Sequence, residues 1–162
     1  MIRAGKPFPP QTLEEFKIYE DAHGALNEFK RGGFKLIVVT NQPDISRDTQ
    51  LVEVVEAMHQ KLIDNLPLDS IRICIDEGSS DYKPNPGMLL KAAEEFGIKL
   101  KKSYMIGDRW RDIGAGINAG CYKTILLDRN YTEKMIFNPD YICNTLTQAK
   151  DYIIEQEGLK KA

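Results

Sequence analysis

The chain is poor in the residues that build cross-linked or metal-bound scaffolds. Its 162 residues include only 3 cysteines, Cys74, Cys121 and Cys143, far apart and with no Cys-x-x-Cys pair. So odd and sparse a set excludes a disulfide framework and points to a reducing compartment, the cytoplasm. The 2 histidines, His23 and His59, lie in helical stretches without a partner pattern and read as structural. An excess of one charge is also missing: 22 Lys and Arg against 24 Asp and Glu leave a net charge of −2. That balance gives no reason to expect nucleic acid as a partner. No apolar run approaches the roughly 18 residues of a membrane span. The opening MIRAGKPFPP has no apolar leader core, and neither repeats nor low-complexity linkers occur. A membrane partner is therefore not expected.

What is present is an ordinary globular composition, 42% hydrophobic and 28% charged, of a length that suits one domain. We expect a single domain over 1–162, with residues 1–20 as an N-terminal loop segment and 158–162 as a frayed tail. Pro7, Pro9 and Pro10 make the first ten residues an extended loop, because proline fixes φ and removes a donor. The spacing of Ala22, Leu26 and Phe29 predicts a helix from Asp21 to Lys30, ended by Gly32-Gly33. FKLIVVT (Phe34 to Thr40) is a short β-branched run that suits a buried parallel strand. Asn41 to Asp48 reads as a loop, and Leu51 to Leu62 as a helix with Val52, Val55, Met58 and Leu62 on one face. Further strands are predicted at Ile71 to Ile75, Ser103 to Gly107, Tyr122 to Leu127 and Tyr141 to Cys143. Further helices are predicted from Pro86 to Phe96, Arg109 to Ala119 and Leu146 to Glu155. Alternating strands and helices imply an α/β fold, with a mostly parallel sheet covered on both faces.

Ligands of such sheets sit at the carboxyl ends of the strands. That rule selects Thr40-Asn41-Gln42, the turn-rich loop Asp76 to Pro84, and Gly107-Asp108. The hydroxyl and amide of Thr40 and Asn41 suit phosphate oxygens, although both residues also start turns by bonding their own backbone. Lys83 stands in Tyr82-Lys83-Pro84-Asn85-Pro86, where flanking prolines stiffen the loop and aim a compact cation suited to a phosphoryl group. The bland alternative is a solvated surface lysine. Asp108 and Asp112, four apart after a strand-ending glycine, are hard oxygen ligands of the kind Mg²⁺ takes. They serve equally as a helix cap and as a complement to the helix dipole. Met58 and Met105 are core candidates.

Taken in order, Thr40-Asn41, Lys83-Pro84 and Gly107-Asp108 with Asp112 resemble motifs II, III and IV of the haloacid dehalogenase-like (HAD) phosphatases. IVVTNQPDISR, KPNPGMLLKAAEEFGI and SYMIGDRWRDIGAGINAGC resemble the subfamily IIIA group of heptose 1,7-bisphosphate 7-phosphatases and histidinol-phosphate phosphatases. GKPFPP resembles the loop after motif I in some members. The resemblance implies a HAD-like, Rossmann-type three-layer sandwich without a substantial cap. It also implies a Mg²⁺-dependent phosphatase acting on a small phosphorylated sugar. On it, Thr40, Asn41 and Gln42 hold phosphoryl oxygens, and Lys83 neutralises charge. Asp108 and Asp112 serve the metal, and Arg109 meets a second phosphate or sugar hydroxyl.

Two departures follow. The family's first strand ends in Asp-x-Asp-Gly, whose carboxylates are nucleophile and general acid/base; no such motif stands near this N-terminus. That strand lies mid-sheet, between the strands ending at Thr40 and Gly107. We therefore expect the chain as it stands to be inactive and the natural protein to carry the strand upstream. The rivals are a non-catalytic remnant that binds a phosphosugar or partner protein, and a dimer joined through the exposed sheet edge. The family's zinc loop is also changed: its four ligand positions read Cys74, Asp76, Ser79 and Asp81, so no structural zinc is expected. The arginine before Lys83 in relatives is Tyr82.

Overall fold

A computed structural model describes residues 2–3 and 6–159, with side chains over 8–159. Part of the tail expected at 158–162 therefore lies outside the described residues. The expected N-terminal loop contains two short strands, β1 (Ile2–Arg3) and β2 (Lys6–Pro7), paired antiparallel. A two-stranded ladder has only free outer edges, where a proline without an N–H is tolerated. Helix α1 (Ala22–Arg31) follows. Strand β3 (Ile37–Asn41) starts later than its apolar run does. Phe34 instead turns its ring edge-on to Phe29 and Tyr104, with centroids 5.8 and 6.2 Å away. The stretch read as loop holds a single-turn helix, α2 (Pro43–Ser46), which Pro43 opens.

Helix α3 (Val52–Asn65), β4 (Ser70–Cys74), α4 (Gly87–Phe96), β5 (Tyr104–Gly107), α5 (Trp110–Ala119), β6 (Lys123–Leu127), β7 (Tyr141–Cys143) and α6 (Leu146–Gln156) complete the order. Thr145 caps α6, its hydroxyl accepting the Gln148 N–H at 3.1 Å. Among the described residues these elements follow one another without an inserted domain.

The parallel strands form two separate ladders. β3 pairs with β4, from Ile37 opposite Ser70 to Asn41 opposite Cys74. β5 pairs with β6, and β6 with β7. No ladder joins β3 to β5 among the described residues, and the seam between the two ladders lies along these strands' other edges. Alternation along a strand shows which groups are left over. The Leu36 carbonyl and the Gln42 N–H bond toward β4, so Val38 and Thr40 point that way. Ile37, Val39 and Asn41 therefore turn their N–H and C=O groups to the seam. Likewise the Ser103 carbonyl bonds Tyr122 beside β6, so Tyr104 and Ile106 face the seam. Burial agrees: Thr124, Ile125 and Leu126 of β6 are buried, whereas every residue of β3 is partly exposed.

Side chains hold the two ladders together where backbone bonds do not. On one face α1 and α6 cover a cluster of Phe29, Ile125, Cys143, Ala149 and Ile153, with Leu36, Tyr104 and Ile106 packed against it. On the other, α4 and α5 cover Leu89, Met105 and Ala115, with Val39 alongside. Each cluster takes side chains from both ladders, so burial of apolar surface is the main cohesive term across the seam. All parallel strands end on one side, and the expected site lies there.

Candidate active site

Asn41, the last residue of β3, makes a side-chain version of a ladder rung. Its amide donates to the Lys83 carbonyl at 3.1 Å and accepts the Lys83 N–H at 3.0 Å. This fixes the loop carrying Lys83, whose bond to Pro84 is cis, against the end of β3. The lysine side chain then runs into the seam. Its ammonium donates to the Val39 carbonyl at 2.8 Å, a group on the open edge, and to Asp112 Oδ1 at 2.6 Å. Lys83 and Asp112 are only 8% and 6% exposed, so the pair is a buried one.

Asp112 belongs to the other ladder's side. Its Oδ2 accepts the Arg109 N–H at 3.0 Å, closing the first turn of α5. Gly107 is required here: a Cβ on it would run into the Asp112 side chain. One carboxylate thus ties the end of β5 to Lys83, and through Asn41 to β3. Such a pair adds little net stability against an apolar replacement, but breaking one half leaves a buried charge.

The remaining expected residues make no bond to the Lys83 side chain among the described residues. Gln42 Nε2 donates to Thr40 Oγ1 at 2.9 Å, and the Gln42 N–H is taken by the Cys74 carbonyl. Asp108 accepts the Tyr131 hydroxyl on Oδ2 at 2.6 Å and has no partner on Oδ1 among the described residues. Burial, then the bond to Asp108, pushes the Tyr131 phenol well above its ordinary value. Arg109 Nε donates to Glu133 Oε2 at 2.8 Å, and the Trp110 N–H donates to Glu133 Oε1 at 3.2 Å. Trp110 stacks on Phe137 at 6.2 Å, and the Arg111 guanidinium lies 4.6 Å from the Trp110 ring centre.

Tyr131, Glu133 and Phe137 lie in the β6–β7 connection, which sequence reasoning passed over. No periodicity or motif marks that stretch, and only its neighbours in space give it meaning. Gly114 admits Phe137: a Cβ there would stand 2.6 Å from the ring and 2.7 Å from Pro84. The altered zinc loop folds on its own hydrogen bonds. Gly78 N–H donates to Asp76 Oδ1 and Asp81 N–H to Ser79 Oγ, at 2.9 and 3.0 Å. The Cys74 thiol turns to the Asp76 carbonyl.

For a divalent cation the described residues offer part of a shell. Mg²⁺ takes one or two carboxylates and fills its octahedron with phosphate oxygens and water. Asp108, with one oxygen uncommitted at a strand end, fits that role. Asp112 has both oxygens engaged, by Lys83 and by the start of α5. No group of three or more His, Cys, Asp or Glu that could hold a metal occurs among the described residues.

The strand ends thus gather a buried ammonium and a carboxylate with one oxygen unpartnered among the described residues. The family profile of the haloacid dehalogenase-like hydrolases matches residues 10–120, and the chain belongs to that family. Among its relatives, a D-glycero-beta-D-manno-heptose-1,7-bisphosphate 7-phosphatase of Pasteurella multocida is 34% identical over 129 residues, 71% of this chain and 70% of that one. The protein of the same name in Escherichia coli K12 is 30% identical over 162 residues, covering 90% and 85%. Among solved structures, a D,D-heptose 1,7-bisphosphate phosphatase from B. bronchiseptica, complexed with magnesium and phosphate, superposes with a TM-score of 0.77. It is 21% identical and covers 90% of this chain and 88% of its own, a likeness of fold. No helix among the described residues is long and apolar enough to cross a membrane.

Proposed function

We propose that this chain is the body of a Mg²⁺-dependent phosphatase for a small phosphorylated sugar, with D-glycero-D-manno-heptose 1,7-bisphosphate as the substrate. The observation that carries the reading is the Lys83 ammonium, buried in the seam at the strand ends and held by groups from both ladders. In that position it neutralises a bound phosphoryl group and any carboxylate that attacks it. Thr40, Asn41 and Gln42 line the end of β3 and hydrogen-bond the phosphoryl oxygens. Asp112 aims Lys83. Asp108 would hold Mg²⁺ through its free oxygen, where the ion offsets phosphoryl charge. Arg109 meets the second phosphate or a sugar hydroxyl.

Hydrolysis by this route needs a carboxylate nucleophile, and none of the residues described in the seam supplies one. A parallel strand ending in Asp-x-Asp, delivered from upstream, would fill the open edges of β3 and β5 and bring that carboxylate beside Lys83. The carbonyls of Pro10 and Gln11 accept from Gln50 Nε2 at 3.1 and 3.4 Å, which ties the segment before α1 to the chain between α2 and α3. Without the strand the site binds and does not turn over. The test is phosphate release from a panel including the heptose bisphosphate and histidinol phosphate, with Mg²⁺, for this chain and for a version extended by its upstream codons. Release by the extended form alone supports the reading. Binding without release by both favours a non-catalytic phosphosugar-binding protein. Preference for histidinol phosphate reassigns the substrate. Size-exclusion of this chain checks the dimer.

A further inference from the structure

We infer that Glu133 is a positioning residue, which aims Arg109 at a second anionic group on the ligand; this rests on the phosphosugar reading. A guanidinium has five N–H donors in a fixed fork, and its value to an anion depends on which of them are left over. Glu133 takes Arg109 by Nε, on the inner side of the fork, at 2.8 Å. Both terminal nitrogens of Arg109 are without a partner among the described residues, the pair best placed for bidentate binding of a phosphate. Glu133 cannot swing away with the arginine, because its other oxygen is held by the Trp110 N–H at the start of α5. Its side chain is 15% exposed against 34% for Arg109, so the anchor is inside and the fork outside.

The loop behind Glu133 is braced on either side. Tyr131 is bonded to Asp108, and Phe137 is stacked on Trp110. The site already described is one carboxylate away. Asp112 holds the Arg109 N–H on one oxygen and the Lys83 ammonium on the other. Asp112 thus ties two cationic residues together, Lys83 by its ammonium and Arg109 by its backbone N–H, an arrangement that suits a small molecule with two anionic ends, one at Lys83 and one at Arg109. A merely structural Arg–Glu pair at a partly exposed site contributes little and leaves ligand choice unchanged.

The experiment is calorimetric titration of the full chain with fructose 1,6-bisphosphate, fructose 6-phosphate and inorganic phosphate, at fixed ionic strength with Mg²⁺. The wild-type chain is expected to bind the bisphosphate about tenfold or more tightly than the monophosphate, the worth of one bidentate charged contact. Glu133→Gln should reduce that preference to about threefold or less while leaving inorganic phosphate affinity unchanged, and Arg109→Met should abolish it. Glu133→Asp, which keeps the charge, should restore part of it. Equal wild-type affinity for the two sugars overturns this inference and leaves the phosphatase reading standing. A preference lost in Arg109→Met but intact in Glu133→Gln also overturns it, since Glu133 is then structural only. Failure of the wild-type chain to bind any of the three ligands overturns both.

Discussion

Asp112→Ala is the most informative single perturbation of the clasp. Among the described residues it removes the only carboxylate on the Lys83 ammonium, which is 8% exposed and keeps just the Val39 carbonyl as a partner. Breaking a buried pair on one side costs about 3–5 kcal/mol. The same change removes the acceptor for the Arg109 N–H at the start of α5, worth about 1 kcal/mol by itself. The two share one carboxylate and do not simply add, so a loss near 4 kcal/mol is expected. That is a large part of the roughly 5–15 kcal/mol of a small domain. Urea unfolding followed by the fluorescence of Trp110, the single tryptophan, and by far-UV circular dichroism gives the value. Lys83→Met with Asp112→Leu supplies the control, because replacing both charges by apolar groups strands no charge and leaves only the Arg109 N–H and the Val39 carbonyl without these partners. The double variant should lie within about 2 kcal/mol of wild type. A loss under about 1 kcal/mol in Asp112→Ala, or a double variant no more stable than the single, would refute the clasp.

Three further outcomes follow from the fold. Amide hydrogen exchange should alternate along the seam, with Val38, Thr40, Met105 and Gly107 protected and Ile37, Val39, Tyr104 and Ile106 exchanging faster; uniform protection along β3 would rule out an open edge. Gly114→Ala should destabilise by about 1–3 kcal/mol through overpacking against Phe137 and Pro84, read as a lower Tm, and an unchanged Tm would mean that the β6–β7 connection is not packed there. Burial alone would raise the Asp69 carboxyl, but the Leu36 N–H and the Lys30 ammonium lower it on balance. Stability from a depressed carboxyl is present above its unfolded value near 4 and is lost as pH falls through the folded one. Urea midpoints should therefore drop more steeply below about pH 4 in wild type than in Asp69→Asn, and equal slopes would remove Asp69 from the acid response.

Much of the architecture was legible because local chemistry and tertiary role coincide. The β-branched run before Thr40 has one use, a parallel strand. The prolines around Lys83 fix a loop whatever surrounds it, and Gly107 before Asp108 marks a strand end. What the sequence leaves open lies where partners are set by distance in space. Asp112 suits a helix start and a metal equally well by spacing, and nothing local says that Lys83 will meet it. Pro43–Ser46 is too short for periodicity to separate one helical turn from a loop. Tyr131 and Glu133 acquire their roles only because the chain returns over the start of α5.

The division between the two ladders also has a mechanical meaning. Cohesion across it depends on greasy contacts above and below and on a few polar ties, Lys83 in the middle and Asn118 on the Pro84 carbonyl, so the line of least resistance through the described residues passes through the candidate site. A guest that touches both walls acts as mortar, and its occupancy raises the melting point by mass action.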